Sequence, residues 1–314
     1  MRKRPLGKTG LYVSEMSVGT WGLSGDAYGA VTEKDAEATL LRCVEMGMTL
    51  VDTADAYGGG KMEALLGRLF SKRDDIIIVT KGGTDRTTEP PRKRFEAQYL
   101  RDSVERSRKR LRRDVLDLYL LHNPSADALV GGEAVETMEG LVLAKKIAHW
   151  GVAAGDEVVA RAAIDRGAEV IELAYNLVHS IDLHRVAGDV MVSCAGVLAR
   201  STLAHGMLSG TWAKDREFDE SDHRRDRWTR LELQARLEQL EKLQFLTAGD
   251  VKTLRAAAIR FALANTLVSS AVLGPRSVAQ AEELVRETGG GPRYLPDEAL
   301  LRLPRVLAKA GILT

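Results

Sequence analysis

The sequence predicts an α/β protein, a closed (β/α)8 TIM barrel forming a single domain over residues 1–314. Three observations predict it. Strand-like and helix-like segments alternate along the chain, which argues for parallel strands joined by helical crossovers. The strand segments are continuously apolar rather than alternating, as in a sheet covered on both faces. Eight such units can be placed, the number that closes a barrel. An open doubly wound sheet would usually carry a glycine-rich phosphate turn after its first strand. Here Gly58-Gly59-Gly60 follows the second strand and lacks the G-x-G-x-x-G spacing. No Pro- or Ser-rich linker divides the chain, and barrels of about 250 residues and more run as one domain.

The elements follow in order. Val13–Val18 is short, apolar and β-branched and reads as the first strand; Glu33–Glu45 then takes up the helical period. Met48–Val51, the helical stretch Met62–Phe70 and the isoleucine-rich strand Asp75–Thr80 make the next unit. Arg94–Leu111 is helical, Leu116–Leu121 a strand, Glu133–Ala144 helical and Ile147–Val152 a strand. Glu157–Arg166 is helical and precedes the strand Glu169–Leu173, with a shorter helical candidate at Ser180–Val186. Asp189–Cys194 reads as the seventh strand. Two helical runs, Leu231–Phe245 and Val251–Leu263, precede the eighth strand, Ser269–Leu273, and Val278–Arg286 closes the series. The charged stretch Lys214–Arg230 reads as a long loop, either a solvated excursion or a flap over a ligand.

Composition excludes several classes. Lys and Arg number 45 against 44 Asp and Glu, a net charge of +1, so nothing favours nucleic acid or an anionic membrane as a partner. No apolar run approaches the roughly 20 residues that span a bilayer. The N-terminus MRKRPLGKTG is basic, but no apolar segment follows it to make a secretory signal. Cys43 and Cys194 are too few for a disulfide framework or a cysteine metal cage; they read as two buried free thiols, which fits a reducing cytoplasm. Oligomeric state is not legible.

Four reactive side chains sit at or just past strand ends: Asp52 in LVD, Tyr57 in TADAYG, Lys81 in IIIVTK and His122 in LYLLH. In a barrel these ends open onto one face, where active sites are built. A phenol with a pKa of about 10 is a poor proton donor or acceptor at neutral pH. An ammonium about 4 Å away, at an effective dielectric near 20, is worth about 4 kcal/mol to the phenolate and would lower that pKa by up to about three. Asp52 would keep a buried Lys81 charged against desolvation. A neutral His122 would orient a substrate oxygen. This equipment protonates a carbonyl oxygen while something else attacks its carbon. No side chain delivers a hydride, so a cofactor must.

The chain resembles the aldo-keto reductases over nearly its whole length. The resemblance rests on PLGKTGLYVSEMSVGTWGL (Pro5–Leu23), VDTADAYGGGKMEALLG (Val51–Gly67), IIIVTKGG (Ile76–Gly83) and LDLYLLHNP (Leu116–Pro124). It continues through HWGVAAG (His149–Gly155), IELAYNL (Ile171–Leu177), ARSTLAHGMLSG (Ala199–Gly210) and AVLGPRSVAQAEEL (Ala271–Leu284). It implies NADPH bound at the strand C-terminal ends and hydride transfer between nicotinamide and a small aldehyde or ketone, or the corresponding alcohol. Tyr57 would be the general acid, Lys81 paired with Asp52 its activator, and His122 the carbonyl-orienting group. Thr20 and Trp21 would lie near cofactor and substrate, and Arg200, Ser201 and Leu203 would line the nicotinamide and pyrophosphate channel. In the adenosine clamp, Gly274 would allow close backbone approach. Arg276 and Gln280 would hold the 2′-phosphate, and Glu283 would bond the adenine amine.

Departures from the family pattern are local. Ala153, Ala154 and Glu172 stand where Ser, Asn and Gln usually anchor the nicotinamide carboxamide, and Leu284 replaces the Asn that usually ends the clamp. Alanine offers no side-chain hydrogen bond, and an ionised Glu172 could accept from the amide nitrogen but not donate to its oxygen. An ionised Glu172 near the ring would also favour the oxidised nicotinamide. These losses motivate a second expectation, a cofactor-binding but non-catalytic regulatory or sensor protein. A Schiff-base aldolase is a third, because a strand-end lysine serves that chemistry too, although Asp52 argues against it. The strand ends show no His-x-His or His-Glu spacing, so no metal site is expected.

Overall fold

A computed structural model of the chain describes residues 1–289, 291, 292 and 294–312. Eight strands close a barrel, each hydrogen-bonded in parallel to its neighbours. They are β1 (Met16–Gly19), β2 (Leu50–Asp52), β3 (Ile77–Gly82), β4 (Leu116–His122), β5 (Ile147–Ala153), β6 (Val170–Ala174), β7 (Gly196–Arg200) and β8 (Val268–Leu273). The strand order around the barrel is the order in the chain, because each crossover returns to the adjacent edge.

Successive strand residues face opposite sides of the sheet, and the two cores record it. Leu50, Val79, Leu118, Leu120, Ala153, Val170, Leu198 and Val272 pack together in the barrel interior. Val51, Ile78, Tyr119, Leu121, Ile171, Val197 and Ala199 pack outward against the helices. Continuing the inward row by two residues at each strand's C-terminal end reaches Asp52, Lys81, His122, Glu172 and Arg200. One pleat therefore both fills the barrel and aims the polar groups at its mouth.

The N-terminal segment differs from the expectation. Val13–Val18 is two elements: Tyr12–Ser14 pairs antiparallel with Lys3–Pro5, and β1 begins only at Met16. The break lies at Glu15, which Arg4 and the Tyr294 hydroxyl engage. Leu6 and Val13 from this hairpin complete the interior core and plug the barrel. A Cβ on Gly196 would lie 2.7 Å from Leu6 Cδ1, so the plug requires glycine at the start of β7.

The seventh strand is also corrected. Asp189–Cys194 is not a strand; Ala187–Ser193 is helical, and β7 follows at Gly196–Arg200. Valine-rich composition suggested a strand, yet only Val190 faces the core, while Met191 and Val192 are 66% and 89% exposed. Cys194 ends the helix with φ 55°, a left-handed cap. It is exposed, unlike the buried Cys43, so the pair is not two buried thiols.

Further elements have no counterpart in the sequence reading, among them a short helix at Ala126–Val130. A hairpin, Thr84–Asp85 with Arg92–Lys93, rises beyond β3. A helix, Asp297–Lys309, lays Leu303 and Leu307 on the outer core. Among the described residues, no helix is long and apolar enough to cross a membrane, and no group of three His, Cys, Asp or Glu residues could hold a metal ion.

Candidate active site

A cleft of about 930 Å³ opens at the C-terminal ends of the strands, toward the upper end of the roughly 300–1,000 Å³ usual for ligand sites. Asp52, Tyr57, His122, Glu172 and Arg200 line its deep part, and Gly274, Arg276, Gln280 and Glu283 its far rim.

The deep end is built around Lys81, which is 1% exposed. Its Nζ donates to Asp52 Oδ2 and, at 3.1 Å, to the Thr53 carbonyl. Glu172 Oε2 lies 3.2 Å from the same nitrogen, although that buried oxygen makes no hydrogen bond among the described residues. Burial by itself would strip the proton from Lys81. The Asp52 and Glu172 charges reverse that and hold its ammonium above the ordinary lysine range. Asp52 is pushed up to about 7, first by burial and then by Glu172, with Lys81 opposing.

Tyr57 enters from the loop after β2. Gly58, Gly59 and Gly60 all have left-handed φ (59°, 63° and 88°), a run that side-chain-bearing residues resist. This turn carries the Tyr57 ring over Lys81, whose Nζ is 5.5 Å from the ring centroid. Trp21 stacks on the ring at 6.3 Å, and His122 stands edge-on at 6.0 Å. The expected lowering of the Tyr57 phenol is overturned. Burial raises its pKa well above 10, Lys81 offsets only part of this, and Asp52 and Glu172 add to the rise. Proximity to one cation does not outweigh burial, to which two nearby carboxylates add. His122 is kept neutral, chiefly by burial and then by Lys81, Lys93 and Arg200, which hold it well below 6.5. Among the described residues its buried Nδ1 has no hydrogen-bond partner.

The other expected positions divide. Trp21, Ser201 and Leu203 line the cleft. Thr20 does not: it is fully buried, and its hydroxyl donates to Thr53 Oγ1 at 2.9 Å. Arg200 crosses to β5 and donates to the Ala154 carbonyl at 3.0 Å. Ala153 lines the cleft, whereas Ala154 is fully buried. Arg276 donates through Nε to the Gly22 carbonyl and through Nη2 to those of Gly29 and Ala30. Gln280 Oε1 accepts from the Arg276 backbone at 2.9 Å, and Glu283 pairs with Arg255 at 3.1 Å.

Several lining residues escaped the sequence reading. Lys93, from the rim hairpin, donates to the His122 carbonyl at 2.7 Å. The stretch after Lys214 lies over the cleft: His223 N donates to the Ala27 carbonyl at 2.8 Å, and the Arg224 guanidinium sits 4.8 Å from the Tyr28 ring centroid. Tyr28 in turn meets His205 Nδ1 at 3.2 Å. An aromatic among glycines at Tyr28 was the available signal; the arginines carried none, because charge in a loop usually means solvent.

Residues 15–288 match the family model described as "Aldo/keto reductase family". The chain is 30% identical over 305 residues to the aldo-keto reductase YhdN of Bacillus subtilis, covering 92% of this chain and 89% of that protein. It is 26% identical over 334 residues to the NADH-specific methylglyoxal reductase of Escherichia coli, covering 99% of each. The solved structure of a glycerol dehydrogenase from Gluconobacter oxydans superposes with a TM-score of 0.84 at 22% identity, over 99% of this chain and 97% of that one.

Proposed function

Because this chain belongs to the aldo/keto reductase family, we propose that it is an NADPH-dependent oxidoreductase that interconverts a small aldehyde or ketone and its alcohol, with Tyr57 as general acid and base. The observation that carries this reading is the convergence of Tyr57, Lys81, Asp52 and His122 on one end of a cleft large enough for a dinucleotide. The residues present fit that cofactor. Glu172 Oε2 is a buried acceptor without a hydrogen bond among the described residues, suited to a carboxamide NH₂. At the far rim Arg276 Nη1 makes no hydrogen bond among the described residues, and with Gln280 it would grip a 2′-phosphate. Gly274 presents open backbone between them, since an added Cβ would meet nothing nearer than 4.0 Å.

The bound nicotinamide would supply or accept the hydride. The chain's own groups do the rest. A neutral His122 donates to the carbonyl oxygen and fixes its direction. The Tyr57 hydroxyl gives its proton to that oxygen as negative charge builds there. Lys81, kept charged by Asp52, stabilises the phenolate left behind, which water then reprotonates. The raised pKa of Tyr57 is consistent with an acid that keeps its proton until that charge develops.

Single-turnover mixing of the NADPH complex with an activated aldehyde tests the reading. Loss of reduced-cofactor absorbance in step with alcohol formation is expected. A stable complex that never turns over would favour the non-catalytic sensor instead, and aldehyde trapped on Lys81 by borohydride would favour the aldolase.

A further inference from the structure

Glu172 stands on β6, and the charged groups that reach it come from other strands of the same closed sheet, Asp52 on β2 and Lys81 on β3. Its cross-strand partners are Ala153 on β5 and Leu198 on β7. It is 3% exposed, and the nearest cation is Lys81, 3.2 Å from its Oε2. Lys81 therefore sits among three oxygens: Asp52 Oδ2, the Thr53 carbonyl and Glu172 Oε2. An ammonium has three hydrogens to give. Among the described residues none goes to Tyr57, although the Tyr57 ring lies over the same nitrogen. The cluster holds one cation and two carboxylates, each less than 5% exposed, and at that burial each charge acts strongly on the others.

We infer that Glu172 is a positioning residue: its carboxylate keeps the Lys81 ammonium within the Asp52–Thr53 cage and withholds it from the Tyr57 hydroxyl. Two consequences follow for Tyr57, and they have the same sign. The phenolate loses a hydrogen-bond donor, and it gains a negative neighbour. Glu172 thus keeps Tyr57 protonated to higher pH than a neutral residue at this position would. The other groups facing the cluster are Asp52 from β2, His122 from β4 and Arg200 from β7. His122 is neutral, Arg200 favours the phenolate, and Asp52 opposes it, as Glu172 does. Only Glu172 both repels the phenolate and competes for the lysine without being the lysine's main partner.

The inference concerns the ionisation of Tyr57 and can be tested without turnover; only its kinetic consequence rests on the proposed function. Titration of tyrosinate absorbance, taken as the difference from Tyr57→Phe, isolates this one of the seven tyrosines. Glu172→Gln should move the Tyr57 transition down by about one pH unit or more, an energy of about 1.4 kcal/mol. Glu172→Asp, which keeps the charge, should restore most of the wild-type transition. In aldehyde reduction the basic limb of the kcat/KM profile should move with it. If Glu172→Gln does not fold, Glu172→Met removes the same charge and takes its place. A Tyr57 transition that stays put in the neutral variant, or that moves equally in Glu172→Asp, overturns the inference. Absence of turnover with the transition shifted as expected would count against the proposed function only.

Discussion

The two ends of the cleft hold charge in different ways. At the deep end Asp52, Lys81 and Glu172 are all less than 5% exposed and stand on strands whose pleat fixes them. At the rim Arg276, Arg255 and Arg224 come from loops or helix ends and are held by loop carbonyls, carboxylates and aromatic faces. In the deep end, attraction by the carboxylates holds Lys81 charged against burial, while burial and repulsion by Glu172 push Asp52 up. At the rim the arginines are partly hydrated, and water and salt screen their charges. The comparison teaches that the buried charges stand where geometry is dictated by the sheet, and the rim charges where geometry can adjust.

This contrast predicts a ranking of effects. Tyr57→Phe, at the deep end, should lower turnover by about 10²- to 10⁴-fold, the contribution of a positioned general acid, while fluorescence titration with NADPH stays close to wild type. If turnover survives, the assignment of the acid is wrong. Lys81→Met should leave two buried carboxylates without a counter-charge and destabilise the fold by about 3–5 kcal/mol, measured by urea unfolding. Arg276→Ala, at the rim, should weaken NADPH binding by about 10- to 100-fold, the worth of hydrogen bonds to a charged group, with NADH affinity much less affected. Equal loss for both cofactors would assign Arg276 to holding the Gly22–Ala30 loop rather than a phosphate.

The smallest effect is on stability against pH. Asp52 is raised to about 7 in the folded chain, first by burial and then by Glu172. A carboxyl whose pKa rises on folding binds its proton more tightly when folded. Its contribution is therefore present below about pH 4 and is lost as pH rises toward 7. The wild type should lose stability relative to Asp52→Asn across that window in parallel thermal melts. Parallel curves for the two proteins would mean that Asp52 stays ionised in the folded cluster.

Much of the fold was legible because its signals are local. Continuous apolar strands spaced by helix-period segments put seven of the eight barrel strands in place, though the first ran on into the plug hairpin. The seventh failed because DVMVS has strand composition but lies on the surface as a helix, with Val190 on the core and Met191 and Val192 in solvent. Asp52, Tyr57, Lys81 and His122 were legible because each ends a strand-like run or follows one. The flap's arginines and Lys93 were not, since nothing local separates a loop cation over a cleft from one in water.

Alternation, chain order and residue type were enough to predict a barrel, its open face and the chemical kinds of group displayed there, because strand periodicity and strand-end position are properties of a short stretch of chain. Which carboxylate meets which amine depended on tertiary structure alone. Glu172 and Lys81 lie on β6 and β3, with β4 and β5 between them in the barrel, and only closure of the sheet brings their charges within 3.2 Å. The balance of burial, attraction and repulsion that raises the Tyr57 phenol is a sum over groups from several strands, and no segment of sequence contains it.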